Sequence, residues 1–448
     1  MNAVGKRISK YDGLQHATGL TQYTNDISYP GMLWVKVYRS PVARAKINHI
    51  DISRAEKLPG VAAIITAKDI PKNPGGYFPQ IIMADRDATY KGVPIAAVAA
   101  TDEKTAQRAV DLIDAEFNEE PPVLDPLEAM KPDAPLVAPG GNIYYYGASP
   151  CRRIRLGDVE QGFKEADVII ERTYHIQNQD QCPIETQCSI ARIDARGDLA
   201  INSVIQLMPV AGLWLSDILQ IPSGKIRLVG GTVGGGFGGK MEPQSEAITA
   251  VLAMKTKRPV KWVWTREEEL TASTSSGSWI TTYTDGVKKD GRIIARKIRA
   301  IRDSGAFVVI NHYAVDKHCT MATGPYFIPN VWIDGYCVLT NKQPAGPMRG
   351  YGTSSACYAH EVQMDIIAEA IGKDPWEVRF INAFREGDVT AIQKKIDSVA
   401  VIETMKAAAE AAGIKLPEVL MAATSEKREE RYEKEGAGNL KYLASYRL

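Results

Sequence analysis

Between Ile226 and Lys240 the chain reads IRLVGGTVGGGFGGK, with seven glycines in ten positions and one large side chain, Phe237, inside the run. Glycine gives up more backbone entropy on folding than any other residue, so such a run belongs where the chain needs positive φ or where another group approaches the main chain. The chemistry this predicts is ligand binding by backbone N–H groups. Alternating apolar residues Ile226 and Leu228 precede the run, and the helical pattern Ile248, Val251, Leu252 follows it, with Pro243 expected just inside the helix start. Gly234, Gly236 and Gly239 therefore satisfy G-x-G-x-x-G between a strand and a helix, the setting of a dinucleotide site. The acidic residue that would hold a ribose should end the next strand, Val260 to Trp264, and the acids Glu267 to Glu269 come too late for it. Gly234 to Lys240 also fits G-x-x-x-x-G-K, but Met241 follows with no hydroxyl for magnesium. A Rossmann-type dehydrogenase stays open as an alternative, and it predicts NAD(H) binding by this chain alone.

A second glycine-bracketed segment, NKQPAGPMRGYG, runs from Asn341 to Gly352 and presents one aromatic, Tyr351, beside Arg349. VGGGFGGK at 233 to 240 and MRGYG at 348 to 352 are thus two loops of one kind, expected to form one wall of a pocket. The six cysteines contain no C-x-x-C pair and the six histidines no H-E-x-x-H. That argues against a zinc ribbon or an iron–sulfur cluster held within this chain. His318 beside Cys319 is a metal candidate by adjacency only. Any metal is expected to arrive on its own organic ligand, with no direct protein ligand.

The elements that must position these loops can be read in order. Four apolar runs of strand length, Met32 to Tyr38, Ala45 to Ile52, Val61 to Thr66 and Val93 to Ala100, precede a helix capped by Asp102 with Ala106, Ala109, Val110 and Ile113 on one face. Asn118 to Gly141 carries six prolines and a closing Gly140-Gly141, the composition of an extended connector. Beyond it the signals are those of a larger α/β unit: a helix from Asp158 to Glu165, strands at Val168 to Tyr174 and Leu199 to Ile205, and a helix from Met208 to Leu219 with Leu213, Leu215 and Ile218 apolar. Trp279 to Val287 and Arg292 to Ile301 read as a hairpin turning at Asp290-Gly291. The helix after MRGYG places Met364, Ile367 and Ile371 on one face and ends at Gly372. A last helix, Val401 to Ala412, precedes the charged run Ser425 to Glu435.

Length allows two or three domains. Apolar residues make up 45% and charged residues 24%, and the formal charge of +1 gives no overall field favouring nucleic acid or an anionic membrane. The start, MNAVGKRISKYDG, has no apolar h-region, and no run of about 18 apolar residues occurs. A cytoplasmic protein is expected.

The paired loops resemble the molybdenum-cofactor subunit of the xanthine dehydrogenase and aldehyde oxidase family, where the motifs usually read GGGFGGK and FRGFG. The resemblance runs from residue 8 to 415 and includes DVEQGFKEADVIIERTY at 158 to 174. It implies an α+β and α/β chain: a hammerhead-like domain at 1–125, a connector at 126–150, the first half of a molybdopterin-binding region at 151–415, and a charged segment at 416–448. It also implies a molybdenum held by a pterin dithiolene, in a cytosine dinucleotide or simpler form, that oxidises aldehydes or hydroxylates electron-poor ring carbons with oxygen from water. Electrons then leave through 2Fe-2S clusters to FAD on partner chains.

By the same resemblance Gln206 donates near the metal's terminal ligands, Gly236, Phe237 and Gly238 close over the cofactor with their N–H groups, and Arg349 faces it. Tyr351 takes the place of a substrate-stacking phenylalanine. Lys317 stands where xanthine oxidisers have an arginine, and Met241 where they carry a glutamate, which argues against xanthine as substrate. Gln181 replaces a histidine of an H-x-x-x-E motif whose Glu185 remains. The general-base glutamate of the family's G-E-P motif and its G-Q-G loop have no counterpart in this chain. A split enzyme is therefore expected, with a second molybdopterin subunit, an iron–sulfur subunit and an FAD subunit as partners. The expected substrate is a small N-heteroaromatic compound; an aromatic aldehyde, or a non-catalytic assembly role on the same fold, are the alternatives.

Overall fold

The computed structural model describes residues 4–76, 80–308 and 310–425. The charged run predicted after Ser425 lies outside the described residues.

Among the described residues, fifteen strands form three sheets. The largest has seven strands, in the order β11 (Ile226–Val229), β10 (Leu199–Ser203), β9 (Cys188–Ile193), β12 (Val260–Val263), β1 (Leu33–Arg39), β5 (Pro94–Ala100) and β3 (Val61–Thr66). The second has five: β7 (Arg152–Leu156), β15 (Val331–Val338), β14 (Ile293–Asp303), β13 (Trp279–Val287) and β8 (Val168–Ile176). The third joins β4 (Asp87–Ala88), β2 (Ala45–Asp51) and β6 (Asp114–Glu119).

The first four apolar runs are strands, and the Glu103–Val110 helix is capped by the Asp102 carboxylate accepting from Thr105 N–H. These elements do not make a sheet of their own. β1 pairs in parallel with β12 in the register Leu33 to Val260, so β1, β3 and β5 extend the sheet that carries the glycine stretch. The connector is likewise tied down: Asn341, at the start of the second loop, exchanges hydrogen bonds with Val123 and donates to the Thr89 carbonyl.

At the centre of the large sheet lies the Gln244–Thr256 helix, buried from Gln244 through Ala253 on every side. It packs on β3, β9, β10 and β12. Its small and β-branched residues suit this all-round burial, and its buried Glu246 accepts from Ser203 at 2.5 Å. Pro243 is the residue before this helix, not inside it; φ of −85° and ψ of 46° keep it out of the helical region. In the Met208–Leu219 helix, Leu215 and Ile218 are buried but Leu213 is 63% exposed, because the inward stripe is Ala211, Trp214, Leu215, Ile218 and Leu219.

The hairpin of β13 and β14 turns at Gly291 with φ of +100°. Its core holds a buried ion pair: Arg296 Nε donates to Asp285 Oδ1 at 2.6 Å and a terminal nitrogen to Oδ2 at 3.2 Å, both side chains fully buried. Gln363 on the Thr353–Ile371 helix donates to the same carboxylate at 2.9 Å and accepts from Tyr174 of β8. One carboxylate thus joins two strands to the helix that follows the second loop.

Breaking such a pair from one side leaves a buried charge uncompensated. Asp285→Ala is expected to cost about 3–5 kcal/mol, read by urea unfolding followed by tryptophan fluorescence. A cost below about 1 kcal/mol, the range of an exposed pair, would show that this network does not hold the sheet to the helix.

Candidate functional site

Each of the two larger sheets contributes one loop at a strand-to-helix junction. The glycine loop leaves β11 and enters the central helix; the second loop leaves β15 and enters the Thr353–Ile371 helix. They meet where Arg349 N–H donates to the Phe237 carbonyl at 3.0 Å. Gln181 adds a second tie, its amide donating to the Pro347 carbonyl at 2.6 Å. This gives the histidine-to-glutamine change a physical role, since the amide joins the base of one loop to the other.

The ends of the glycine loop are held by one ion pair. Glu185 Oε2 accepts from Gly234 N–H at 2.8 Å and from Lys240 Nζ at 3.0 Å. The Lys240 side chain is fully buried, and burial pulls its pKa below the ordinary lysine value although Glu185 opposes the shift. Gln206 spans the middle: its Oε1 accepts from Gly238 N–H at 2.9 Å and from Lys240 N–H at 3.3 Å. Because only the oxygen can accept, the amide NH₂ turns the other way and has no partner among the described residues.

Most of the glycines are required by this chain's own groups. A Cβ at Gly234 would lie 2.6 Å from the Glu185 Cβ, one at Gly236 2.5 Å from Gln206 Oε1, and one at Gly238 2.4 Å from the Pro347 carbonyl oxygen. What presses on the main chain here is the second loop and the two flanking side chains, where the sequence pointed to a ligand. Gly238 N–H is likewise taken by Gln206, so it is not offered outward as expected. The N–H groups of Gly235, Gly236 and Phe237 do remain without partners among the described residues. Phe237 itself has φ of +52° and is 46% exposed. That conformation costs about 1–2 kcal/mol, the size of one or two net hydrogen bonds. The bond from Arg349 to its carbonyl therefore matters for keeping the ring out.

Arg349 is exposed, and its guanidinium has no partner among the described residues. Tyr351, with φ of +49°, donates its hydroxyl to the Ile310 carbonyl and packs against the core of the five-stranded sheet. Its hydroxyl is spent inside the fold, not presented to a substrate. Lys317 lies on the exposed side of the Asn311–Met321 helix, one turn from the half-exposed Tyr313, and no bond ties it to either loop. Met241 is partly buried against the cluster of Trp214, Phe307 and Ile310, so it is a wall behind the glycine loop.

His318 is buried, stacked on Trp279 at 4.3 Å and bonded to Ser355 at 3.0 Å, with its pKa pushed down to about 3 by burial. It is a structural neutral ring. No group of three or more His, Cys, Asp or Glu able to hold a metal occurs among the described residues.

Two residues escaped the sequence reading. Gln187 donates to the Gly239 carbonyl at 2.8 Å, and Glu242 is a buried carboxyl behind the loop with one oxygen unpartnered. No spacing rule marks either one.

The groups without partners among the described residues, then, are three backbone N–H donors, that of Gly236 in a buried residue, with one amide NH₂ and one guanidinium. A donor set without a carboxylate fits an anionic ligand, and a metallopterin with its dithiolene and phosphate meets that description.

Residues 18–121 match the family model described as aldehyde oxidase and xanthine dehydrogenase, a/b hammerhead domain, and residues 140–383 match molybdopterin cofactor-binding domain. The chain is 32% identical over 413 residues to the nicotinate dehydrogenase large molybdopterin subunit of Eubacterium barkeri, covering 91% of this chain and 96% of that one. It is 30% identical over 400 residues to the xanthine dehydrogenase molybdenum-binding subunit of Escherichia coli, covering 86% of this chain and 52% of that one. The aldehyde oxidoreductase of Desulfovibrio gigas superposes with a TM-score of 0.86 at 27% identity, over 91% of this chain and 47% of that one. The chain therefore spans nearly all of the first relative and about half of the other two.

Gly238→Val places a branched side chain at φ of +101° and against the Pro347 carbonyl. The expected result is a displaced glycine loop with an intact fold elsewhere: new proteolytic cleavage confined to 230–240, unchanged far-UV circular dichroism, and loss of turnover in the assembled enzyme. Wild-type protection together with full turnover would remove this loop from the site.

Proposed function

This chain belongs to the xanthine dehydrogenase and aldehyde oxidase family of molybdenum hydroxylases, and we propose that it is the subunit of such an enzyme that carries one wall of the molybdopterin site and hydroxylates an N-heteroaromatic ring. The observation that carries the reading is the pair of loops joined through Arg349 and Phe237, with donors left unpartnered among the described residues. When bound, molybdenum–molybdopterin supplies the two-electron oxidation that puts a water-derived oxygen on the ring carbon.

The residues of this chain do the holding. The amide NH₂ of Gln206, oriented by the bonds its oxygen accepts, and the free N–H groups beside Phe237 act as fixed donors to anionic ligand atoms. The Arg349 guanidinium adds a planar cation at the same seam. Phe237, exposed on the loop, would cover the bound group and exclude water. Residues 1–125 serve as the hammerhead-like domain and 151–415 as the first half of the cofactor region.

The coextensive match to a nicotinate dehydrogenase subunit supports an N-heteroaromatic substrate, and Met241 in place of a purine-reading glutamate argues against xanthine. The words large molybdopterin subunit in that relative's name support a second molybdopterin chain that brings the general base. Iron–sulfur and FAD chains complete the electron path in this reading.

Coexpression with the neighbouring reading frames tests it. The assembled complex should contain stoichiometric molybdenum and hydroxylate nicotinate, whereas this chain alone should not turn over. Full molybdenum loading and hydroxylation by the lone chain would refute the split site, and turnover of aromatic aldehydes alone would replace the substrate class. If Lys317 balances a substrate carboxylate, Lys317→Met should cost about 1.5–3 kcal/mol more in kcat/KM with nicotinate than with nicotinamide, the range for a lost charged hydrogen bond. Equal losses on both would return Lys317 to the surface.

A further inference from the structure

Behind the glycine loop is a small, partly open cavity of about 30 Å³. Gly239 of the first loop and Pro344 of the second both form its wall, so it lies on the inner side of the seam where the loops meet. Its lining is polar for so buried a place: Glu242, Gln80, Gln187, Gln244, Ser273 and Thr274. The space exceeds the roughly 10–15 Å³ that one water needs.

Two groups in this wall have no partner among the described residues. Glu242 Oε1 has no partner, while the carboxyl receives its own backbone N–H and, at Oε2, the Thr274 hydroxyl at 3.3 Å; the indole N–H of Trp264 has no partner. An orphan acceptor and an orphan donor in one polar cavity are the pattern of buried water, which accepts from the indole and donates to the carboxyl. The second loop also feels this carboxyl: the Tyr351 phenol, whose pKa is raised mainly by burial, is raised further by the Glu242 charge.

The surrounding charges leave Glu242 uncompensated. Lys240 is bound to Glu185, and Arg39 lies over the far ring of Trp264 and is paired with Glu268. Glu269 accepts from Gln187 N–H, and the Tyr90 phenol is bonded to Gln244. Burial lifts the Glu242 carboxyl to about 7. At neutral pH it can therefore both take up and release a proton.

We propose that Glu242 is a proton-relaying residue behind the two loops, accepting through cavity water a proton released at the site and passing it outward. Hydroxylation of a ring C–H by water forms one C–O bond and releases two protons and two electrons. The electrons go to one-electron carriers of the iron–sulfur class on partner chains. One proton moves to the Glu242 carboxylate: an O–H bond of the cavity water breaks, one forms at Oε1, and the water regains its proton from the site. This assignment rests on the function proposed above.

The test uses the assembled complex, with nicotinate as the turnover probe. Infrared spectra of the resting wild type should show a carboxylic acid C=O band that titrates near pH 7 and is missing in Glu242→Gln. The wild-type kcat should fall below that pH as the acceptor protonates. In Glu242→Gln that limb should vanish and kcat should drop on the order of 10-fold or more, less than the roughly 10²–10⁴ of a direct base, with molybdenum and pterin content unchanged. Thr274→Val removes the hydrogen bond that favours the charged carboxylate, so it should move both the band and the limb to higher pH. The infrared band needs no turnover, so it stands or falls apart from the substrate assignment. Absence of the titrating band, a limb that persists in Glu242→Gln, or loss of molybdenum from a folded Glu242→Gln would each overturn the relay.

Discussion

The bond on which the site depends is the one between Lys240 and Glu185. Removing an ammonium group from water is costly, and a fully buried lysine is kept charged only by a partner that meets it directly. Glu185 does this with the same oxygen that holds Gly234 N–H. Gly234 and the closing lysine of the loop are thereby fixed to one carboxylate, and the residues between them must arch. Phe237 and Gly238 take positive φ within that arch.

A loop closed in this way still needs a wall to lean on, and the wall comes from the other sheet. Pro347 meets Gly238 and Gln181, and Arg349 meets Phe237. Neither sheet holds the site alone. The β1 to β12 pairing and the Asn341 clasp carry the first 120 residues and the connector into the same body. Strain at Phe237 and Tyr351 is then supported from both sides, which is the condition under which unfavourable backbone geometry persists.

Polar burial is concentrated at this seam. Glu185, Gln187, Glu242, Glu246 and Glu269 all lie beneath or beside the glycine loop, with most of their oxygens used to hold backbone or hydroxyl groups. Such a network is stable only when nearly every member is satisfied, so its unpartnered atoms are informative. They fall at Glu185 Oε1 beside the ion pair, at the cavity behind the loop and at the free donors of the loop. The apolar surface goes into the sheets and their covering helices, and no helix among the described residues is long and apolar enough to cross a membrane.

Much of this was legible in the sequence because it is local. Strands β1, β2, β3 and β5, the Asp102 cap, the Gly291 turn and the Gly372 stop follow from patterns that span only a few residues. The two glycine-bracketed loops were also legible as a pair, since each carries its aromatic within its own motif. What only the tertiary structure decided is who meets whom: that Gln181 and Pro347, 166 positions apart, share a bond, that Gln206 takes Gly238 N–H, and that Glu242 is left alone in a cavity. The Tyr351 hydroxyl and the Met241 side chain were likewise assigned inward by their neighbours. Sequence spacing sets the conformation of a short segment through its own torsions, whereas the contacts of a side chain depend on where distant segments pack. Those distances are set by the closing of two sheets onto each other, which no single motif encodes.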